Sequence, residues 1–222
     1  MKTTAVIPVK RLDSAHERLQ GAVSGTDRRR IAEALFLDTL AKIRRCRCID
    51  DSLIVTADPE VARHAGWMGH SVLEQGEDEG HSQAAIAGVR AALGGGAERV
   101  AMLPVDCPML APAELDGHLG KSPRSALIVP DADGSGTNAL VLCPPDAFEP
   151  GFGPDSCARH VARARAAGIG FSLEQVACLA LDLDTPNDLL KLRDALLLDP
   201  APAPRTATVL WELGAPAETA TA

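Results

Sequence analysis

The sequence has few aromatic residues and an excess of negative charge. Its 222 residues include four Phe, two Trp and no Tyr, so aliphatic side chains and Ala must fill most of the core. The formal net charge of −8 argues against a sequence-independent grip on a nucleic-acid backbone, because such a grip needs clustered Lys and Arg. We therefore expect no nucleic-acid partner, although a local basic pocket can still hold a small anionic ligand.

Long apolar runs and closely paired cysteines are also missing. No run approaches the roughly 20 apolar residues that a membrane helix needs, and the first nine residues enter a strand pattern without a leader-like segment. The six cysteines form no C-x-x-C pair, which disfavours a zinc site. These absences predict a cytoplasmic protein with reduced thiols and no membrane contact.

Strand and helix patterns alternate over residues 1–198, which is typical of an α/β fold with a mostly parallel, doubly wound sheet and helices on both faces. The predicted strands are 3–9, 52–56, 70–73, 99–104, 126–129, 139–142 and 178–181. The predicted helices are 27–45, 59–65, 82–93, 112–119, 155–167 and 186–198. Residues 1–198 are thus predicted to form one domain.

Residues 199–222 have a different composition, dominated by Pro and Ala. This composition predicts a flexible C-terminal tail. The tail contains one small apolar cluster, which we interpret as a candidate docking site: Val209, Leu210, Trp211 and Leu213.

The stretch from Pro130 to Leu142, PDADGSGTNALVL, connects two predicted strands. Its glycines let backbone N–H groups approach a ligand closely, and it is longer and more polar than a simple reversal requires. A calcium loop is excluded because Leu142 stands at the twelfth position, where that loop needs Glu, and because strands flank it. Taken alone, the stretch fits a ligand-binding loop and a solvated hairpin loop equally well.

Polar residues follow several predicted strands at their carboxyl ends, where ligands collect in open α/β sheets. Lys10 and Arg11 follow the first strand, and Asp106 follows the fourth. Asp182 and Asp184 follow the last strand and share one side of an extended chain. Two cations and three carboxylates suit a phosphate-bearing substrate held with Mg²⁺. Singly, each acid is also explained as a helix N-cap and each base as a solvated charge.

Other catalytic patterns are weak or absent. The glycine fingerprints of dinucleotide-binding and P-loop proteins do not occur. Cys157 and His160 lie three residues apart on a predicted helix and could pair as nucleophile and base. A buried Cys beside a His near a helix end is far commoner, so we predict no thiol chemistry.

Five segments in this order resemble one family: IPVKRLDSAHERL at 7–19, LPVDCPML ending at Leu110, PDADGSGTNAL, FGPDSCARH ending at His160, and LDLDTPNDL ending at Leu189. Together they are similar to the phospholactate and phosphoenolpyruvate guanylyltransferases of deazaflavin coenzyme (F-420) biosynthesis. The resemblance covers roughly residues 1–198, and GTNAL followed by FGP-x-S-x-x-RH is its most specific part. It implies a three-layer, Rossmann-like fold of the nucleotidyltransferase type.

The resemblance also implies an activity and a set of site residues. Enzymes of this family transfer GMP from GTP onto the phosphate of a three-carbon phospho-acid and release pyrophosphate. It implies that Asp106, Asp182 and Asp184 hold Mg²⁺, and that Lys10 and Arg11 contact the triphosphate of GTP. It implies that Lys10 and Asp106 take part in catalysis, and that Thr137, Gly153 and Ser156 bind the phospho-acid.

Two departures from the family pattern and several alternatives accompany this interpretation. His16 stands where another Lys is expected, and Gly80-His81-Ser82-Gln83-Ala84 replaces a segment that usually carries Leu-Asn and helps to read the base. Phosphoenolpyruvate is the favoured acceptor, with 2-phospholactate and 3-phosphoglycerate as alternatives. A nucleotidyltransferase for another nucleotide, or a non-catalytic nucleotide-binding scaffold, remains open. So do a homodimer and a contact with the next enzyme of the pathway.

Overall fold

The computed structural model describes residues 1–120 and 125–214. Seven strands form one sheet: β1 Thr3–Val9, β2 Asp51–Thr56, β3 Ser71–Glu74, β4 Arg99–Met102, β5 Ala126–Pro130, β6 Thr137–Leu142 and β7 Phe171–Leu173. The described helices are α1 Gly25–Ile43, α2 Pro59–Trp67, α3 His81–Gly94, α4 Pro112–Leu119, α5 Ser156–Ala166, α6 Pro186–Leu198 and α7 Pro204–Gly214. None of these helices has the length and apolar content needed to cross a membrane.

The strand order is β3-β2-β1-β4-β6-β5-β7. Only β6 runs antiparallel to its neighbours in this sheet, pairing with β4 and β5. Alternate residues of β1 point to opposite faces, so Ile7 joins a core with α1 and α2, whereas Val6 joins a second core with α3. The mostly parallel sheet with helices on both faces confirms the predicted α/β fold.

Gly88 lets helix α3 pack directly against the side chains of β1 and β2. A Cβ atom at this position would overlap Val6 Cγ1 and lie 2.9 Å from Val55 Cγ2. Any larger residue would push the helix outwards, since packed interiors leave no room for an added methyl group. This close packing fixes the start of α3, at His81, beside the carboxyl end of β1.

The predicted strand at 178–181 is wrong. The outer strand is instead β7, which pairs in parallel with β5, and Ala177–Leu179 forms a short 3-10 turn. The backbone of this turn is bonded to side chains, because Cys178 N–H donates to Glu114 Oε1 at 3.2 Å and Leu179 C=O accepts from the Asn138 amide at 2.8 Å. These side-chain partners replace the backbone hydrogen bonds that a neighbouring strand would supply.

The predicted flexible tail is wrong for Pro204–Gly214. This segment forms α7, which packs against α1 and α6 and buries Leu210 in one core with Ile31 and Leu192. The compact unit therefore extends past residue 198. Trp211 of the predicted apolar cluster remains 68% exposed, and residues 215–222 of the predicted tail lie outside the described residues.

Asp38 of α1 holds the start of α7. The Asp38 carboxylate is 2% exposed and accepts from Thr206 N–H and Thr206 Oγ1, both at 2.9 Å. Arg205 Nη1 donates to the same carboxylate at 3.1 Å. A carboxylate is favoured here because the first amide groups of a helix are unpaired donors with partial positive charge.

Replacing Asp38 with Ala is expected to lower the free energy of unfolding by about 2–4 kcal/mol, since buried donors would lose their acceptor. Urea denaturation of the purified variant measures this change. Asp194→Ala is the control, because Asp194 is 71% exposed and 3.9 Å from Arg193, so its removal should change stability by less than about 0.5 kcal/mol. Equal, small losses in both variants would contradict a role for Asp38 in holding α7.

Candidate active site

A cavity of about 440 Å³ opens at the carboxyl ends of β1 and β4. Six of the eight predicted site residues line it, namely Lys10, Asp106, Thr137, Gly153, Asp182 and Asp184. They come from five separate segments of the chain, and the fold brings them together at one edge of the sheet. The volume is that of an ordinary small-molecule pocket.

The other two predicted residues, Arg11 and Ser156, do not line this cavity. Arg11 is exposed and precedes the 3-10 turn Leu12–Ser14. Ser156 is fully buried behind Thr137, to which its hydroxyl donates at 3.1 Å. Arg11 thus lies beside the cavity, and Ser156 lies behind its wall.

The start of α5 does not offer its first two amide groups to an anion. Ser156 N–H donates to Gly153 C=O, and Cys157 N–H donates to Ser135 C=O, both at 3.1 Å. These bonds close the turn around Gly153, whose φ of +105° favours glycine. The turn, rather than a free helix end, faces the cavity.

The acidic side of the cavity is built from two segments joined by one backbone bond. Leu183 N–H donates to Asp106 C=O at 3.1 Å, and the buried Leu183 side chain leaves Asp182 and Asp184 on the other side of the chain. The predicted sharing of one side by these two acids is therefore retained, although the segment is outside the sheet.

Two of these carboxyl groups have a raised affinity for protons. Burial, and then the charge of Asp184, raise the pKa of Asp106 to about 6. Burial, and then the charge of Asp106, raise the pKa of Asp182 to about 6. Among the described residues neither acid forms an ion pair, whereas Asp184 pairs with Arg18 at 2.8 Å. The site thus concentrates negative charge that Lys10 and Arg18 neutralise only in part.

The basic loop after β1 is tied to this acidic segment. His16 Nδ1 lies 2.9 Å from the Leu183 carbonyl oxygen, so its N–H donates to that oxygen, and Arg18 pairs with Asp184. Burial lowers the pKa of His16. His16, where the resemblance predicted another Lys, therefore joins two walls of the cavity. The sequence does not show its partner, which is 167 residues away.

A group of rings also borders the cavity through His81 and Phe152, and the sequence patterns did not indicate it. Phe152 meets His81 edge-on at 4.8 Å and His160 edge-on at 5.4 Å between ring centroids. Ser82 Oγ accepts from Phe152 N–H at 2.9 Å and donates to Phe152 C=O at 3.2 Å. Burial, and then Lys10, lower the pKa of His81 to about 4. His81 and Ser82 thus hold the loop around Gly153 through Phe152.

Asp131 and Asp133 shape the glycine-rich loop. Asp131 Oδ2 accepts from Gly136 N–H at 2.8 Å, and Asp133 Oδ1 accepts from Ser135 N–H at 2.9 Å. Neither carboxylate is among the described residues that line the cavity. Their bonds hold the loop that presents Thr137.

The donor set of the acidic side fits a hard divalent cation such as Mg²⁺, which prefers carboxylate oxygen and phosphate. Asp106, Asp182 and Asp184 are not drawn together as three ligands of one ion: among the described residues, the group of three whose ligand atoms lie within 4.8 Å is Glu33, Glu60 and His64. An open arrangement suits Mg²⁺, which usually takes one or two carboxylates and completes its shell with water and substrate phosphates.

Known proteins resemble this chain along most of its length. Residues 3–194 match the family described as guanylyl transferase CofC like. A phosphoenolpyruvate guanylyltransferase of Conexibacter woesei is 44% identical over 200 residues, which cover 88% of this chain and 89% of the relative. A 2-phospho-L-lactate guanylyltransferase of Methanothermobacter thermautotrophicus is 31% identical over 189 residues, covering 85% and 83%.

A solved structure described as a nucleotide-diphospho-sugar transferase, from Desulfovibrio desulfuricans G20, matches with a TM-score of 0.78. It is 20% identical, and the match covers 96% of this chain and 95% of the other. At this identity the likeness concerns the fold alone, and it confirms the predicted nucleotidyltransferase-type architecture.

Proposed function

The chain belongs to the CofC-like guanylyl transferase family, and from this premise we propose that it transfers GMP from GTP onto the phosphate of a three-carbon phospho-acid. Phosphoenolpyruvate is the favoured acceptor, because relatives with that name include the 44% identical protein. The observation that carries the proposal is one cavity lined by Lys10, three carboxylates, Thr137 and Gly153.

The proposed reaction is an in-line displacement at the α-phosphorus of GTP. A phosphate oxygen of the acceptor forms a new bond to this phosphorus, while the bond to the α,β-bridging oxygen breaks and pyrophosphate leaves with the electron pair. Positioning and charge neutralisation supply most of the rate in such transfers. Lys10 would neutralise the triphosphate, and Thr137 and the Gly153 turn would hold the acceptor.

Asp106 and Asp182, with Asp184 beside them, would hold the Mg²⁺. When bound, Mg²⁺ neutralises the charge on the phosphates that flank the reacting phosphorus. The Leu183–Asp106 backbone bond keeps the two acidic segments together, and so keeps their carboxylates near each other. Arg18 compensates part of the charge of Asp184.

The proposed function is tested by following pyrophosphate release from GTP and Mg²⁺ with phosphoenolpyruvate, 2-phospholactate or 3-phosphoglycerate. We expect release with phosphoenolpyruvate and a new phosphoanhydride product. ATP, CTP and UTP are the nucleotide controls, because a pocket matched to one base should discriminate strongly against the others. Failure of GTP with all three acids would rule out the proposed function, and activity with CTP would favour another nucleotidyltransferase.

The binding of divalent metal is expected to weaken as the pH falls from 7 to 5. Asp106 and Asp182 have pKa values of about 6 in the metal-free protein, so protons compete with metal below that pH. The affinity for Mn²⁺, measured by electron paramagnetic resonance without nucleotide, should fall up to about tenfold per pH unit for each proton displaced.

Asp106→Asn should flatten the pH dependence of Mn²⁺ binding, because it removes one of the two titrating ligands. Asp194→Asn is the control, since Asp194 is exposed. An affinity for Mn²⁺ that stays constant between pH 5 and 7 would contradict this assignment of the metal ligands.

A further inference from the structure

The hydroxyl group of the half-buried Thr137 contacts two fully buried side chains, those of Ser156 and His160. Thr137 Oγ1 lies 3.0 Å from His160 Nδ1 and 3.1 Å from Ser156 Oγ. A hydroxyl group has one proton to donate and two lone pairs to accept with. Whether the Thr137 proton or a lone pair faces the cavity therefore depends on whether His160 and Ser156 donate to Thr137 Oγ1 or accept from it.

The protonation of His160 is set by a backbone amide. Gly151 N–H donates to His160 Nε2 at 3.0 Å, so Nε2 carries a lone pair and the single proton of the neutral ring is on Nδ1. His160 Nδ1–H must then donate to Thr137 Oγ1. If the ring were doubly protonated, its Nε2–H would point at the Gly151 N–H, and two donors would face each other without an acceptor.

The surroundings of His160 keep the ring neutral. The side chain is fully buried, and it packs against the Phe148 and Phe152 rings. Burial, and then the positive charges of Arg163 and Arg159, lower its pKa to about 4. The ring is therefore neutral both at pH 6 and at pH 7.

Ser156 donates a hydrogen bond to the second lone pair of Thr137 Oγ1. Ser156 is fully buried, and among the described residues its hydroxyl has Thr137 Oγ1 as its side-chain partner. Donation to Thr137 satisfies the Ser156 proton without leaving a buried donor unpaired. Both lone pairs of Thr137 are then occupied, and its own proton is left to point into the cavity that Thr137 lines.

We propose that His160 is a positioning residue that, together with Ser156, makes the Thr137 hydroxyl an obligate hydrogen-bond donor to an anionic oxygen of the acceptor. This inference rests on the proposed function and deepens it, because it assigns the acceptor chemistry to the Thr137 wall. It also gives the buried Ser156 a role that requires no direct contact with substrate. A neutral acceptor that offers only donors would be rejected at this wall.

Kinetics of three variants test the inference. His160→Ala should raise KM for the phospho-acid roughly 10- to 100-fold, the range expected for a lost hydrogen bond to an anion, while KM for GTP changes less than about threefold. His160→Asn keeps an N–H donor near Nδ1 and should recover most of the loss. His70→Ala is the control, because His70 is similarly buried but does not line the cavity, and it should leave KM for the phospho-acid unchanged.

A double-mutant cycle separates this role from general packing. In a Thr137→Val background, His160→Ala should add less than about twofold to KM for the phospho-acid, because the coupled hydroxyl is already gone. Additive losses, equal effects on KM for GTP, or an Asn variant as poor as Ala would each overturn the inference.

The tautomer itself can be observed without any enzymatic activity. In ¹⁵N-histidine-labelled protein, NMR should show His160 protonated at Nδ1 and bare at Nε2 between pH 6 and 8. A proton on Nε2, or titration near pH 6.5, would overturn the inference even if the wild type is active. If the wild type released no pyrophosphate with any phospho-acid, the proposed function would fail. The spectrum would still show whether His160 is protonated at Nδ1 and can donate to Thr137.

Discussion

Replacing Asp106 with Asn is expected to abolish turnover and at the same time to stabilise the ligand-free protein. The loss follows from the proposed metal site, because an amide cannot supply the charge that holds Mg²⁺ beside the triphosphate. We expect kcat/KM to fall at least about 10³-fold. Pyrophosphate release at saturating Mg²⁺ measures this effect.

The stabilisation follows from the raised pKa of Asp106, which is about 6. A carboxyl group that binds protons more tightly in the folded state destabilises that state when ionised, so its penalty is present above pH 6 and vanishes below about pH 4. With allowance for solvent screening, the Asn variant should gain on the order of 1–2 kcal/mol at pH 7.5. For a domain of this size, this corresponds to a rise in Tm of roughly 2–8 °C.

Thermal unfolding of the wild type and the Asn variant at pH 7.5 and pH 4 therefore distinguishes a functional acid from a structural one. The gain should be present at the higher pH and absent at the lower. Asp194→Asn is the control for a general change in surface charge, because Asp194 is 71% exposed. An Asp106→Asn variant that is both inactive and less stable at pH 7.5 would indicate that the carboxylate serves the fold.

Replacing Lys10 with Ala is expected to have the second largest effect. Lys10 follows β1 directly, lines the cavity, and is close enough to act on the charges of Asp106 and His81. Loss of its ammonium group should lower kcat/KM for GTP about 10²- to 10³-fold, because its positive charge would no longer neutralise the negative charge of the triphosphate. KM for the phospho-acid should change little.

Lys10→Arg and Arg11→Ala sharpen this experiment. Arg keeps the charge but has a different shape, so Lys10→Arg should recover part of the activity. Arg11 is exposed and does not line the cavity in the described part of the chain, so Arg11→Ala should lower kcat/KM no more than about threefold. A larger loss from Arg11→Ala than from Lys10→Ala would show that the triphosphate lies outside the cavity.

Much of the fold and of the site is determined by the sequence alone. Alternating strand and helix patterns predict the parallel sheet, because apolar periodicity reflects which face of each element is buried. The carboxyl ends of strands are known once strands are placed, and this is why Lys10, Asp106 and Thr137 could be assigned to one edge. Short apolar runs are harder: 178–181 and β7 have similar patterns, and only the pairing with β5 distinguishes them.

Only the tertiary structure decided how the site is supported. The Asp38 carboxylate accepts hydrogen bonds from the start of α7, 167 residues away, and so holds this helix of a Pro- and Ala-rich segment in place. His16 meets the Leu183 carbonyl over a similar separation, and Ser156 is buried behind Thr137 rather than exposed. Periodicity and spacing report local burial, whereas the partner of a polar group is set by contacts distant in the chain. The sequence therefore determined most, but not all, of the residues that reach the cavity, and the packing of distant segments determined which way their protons point.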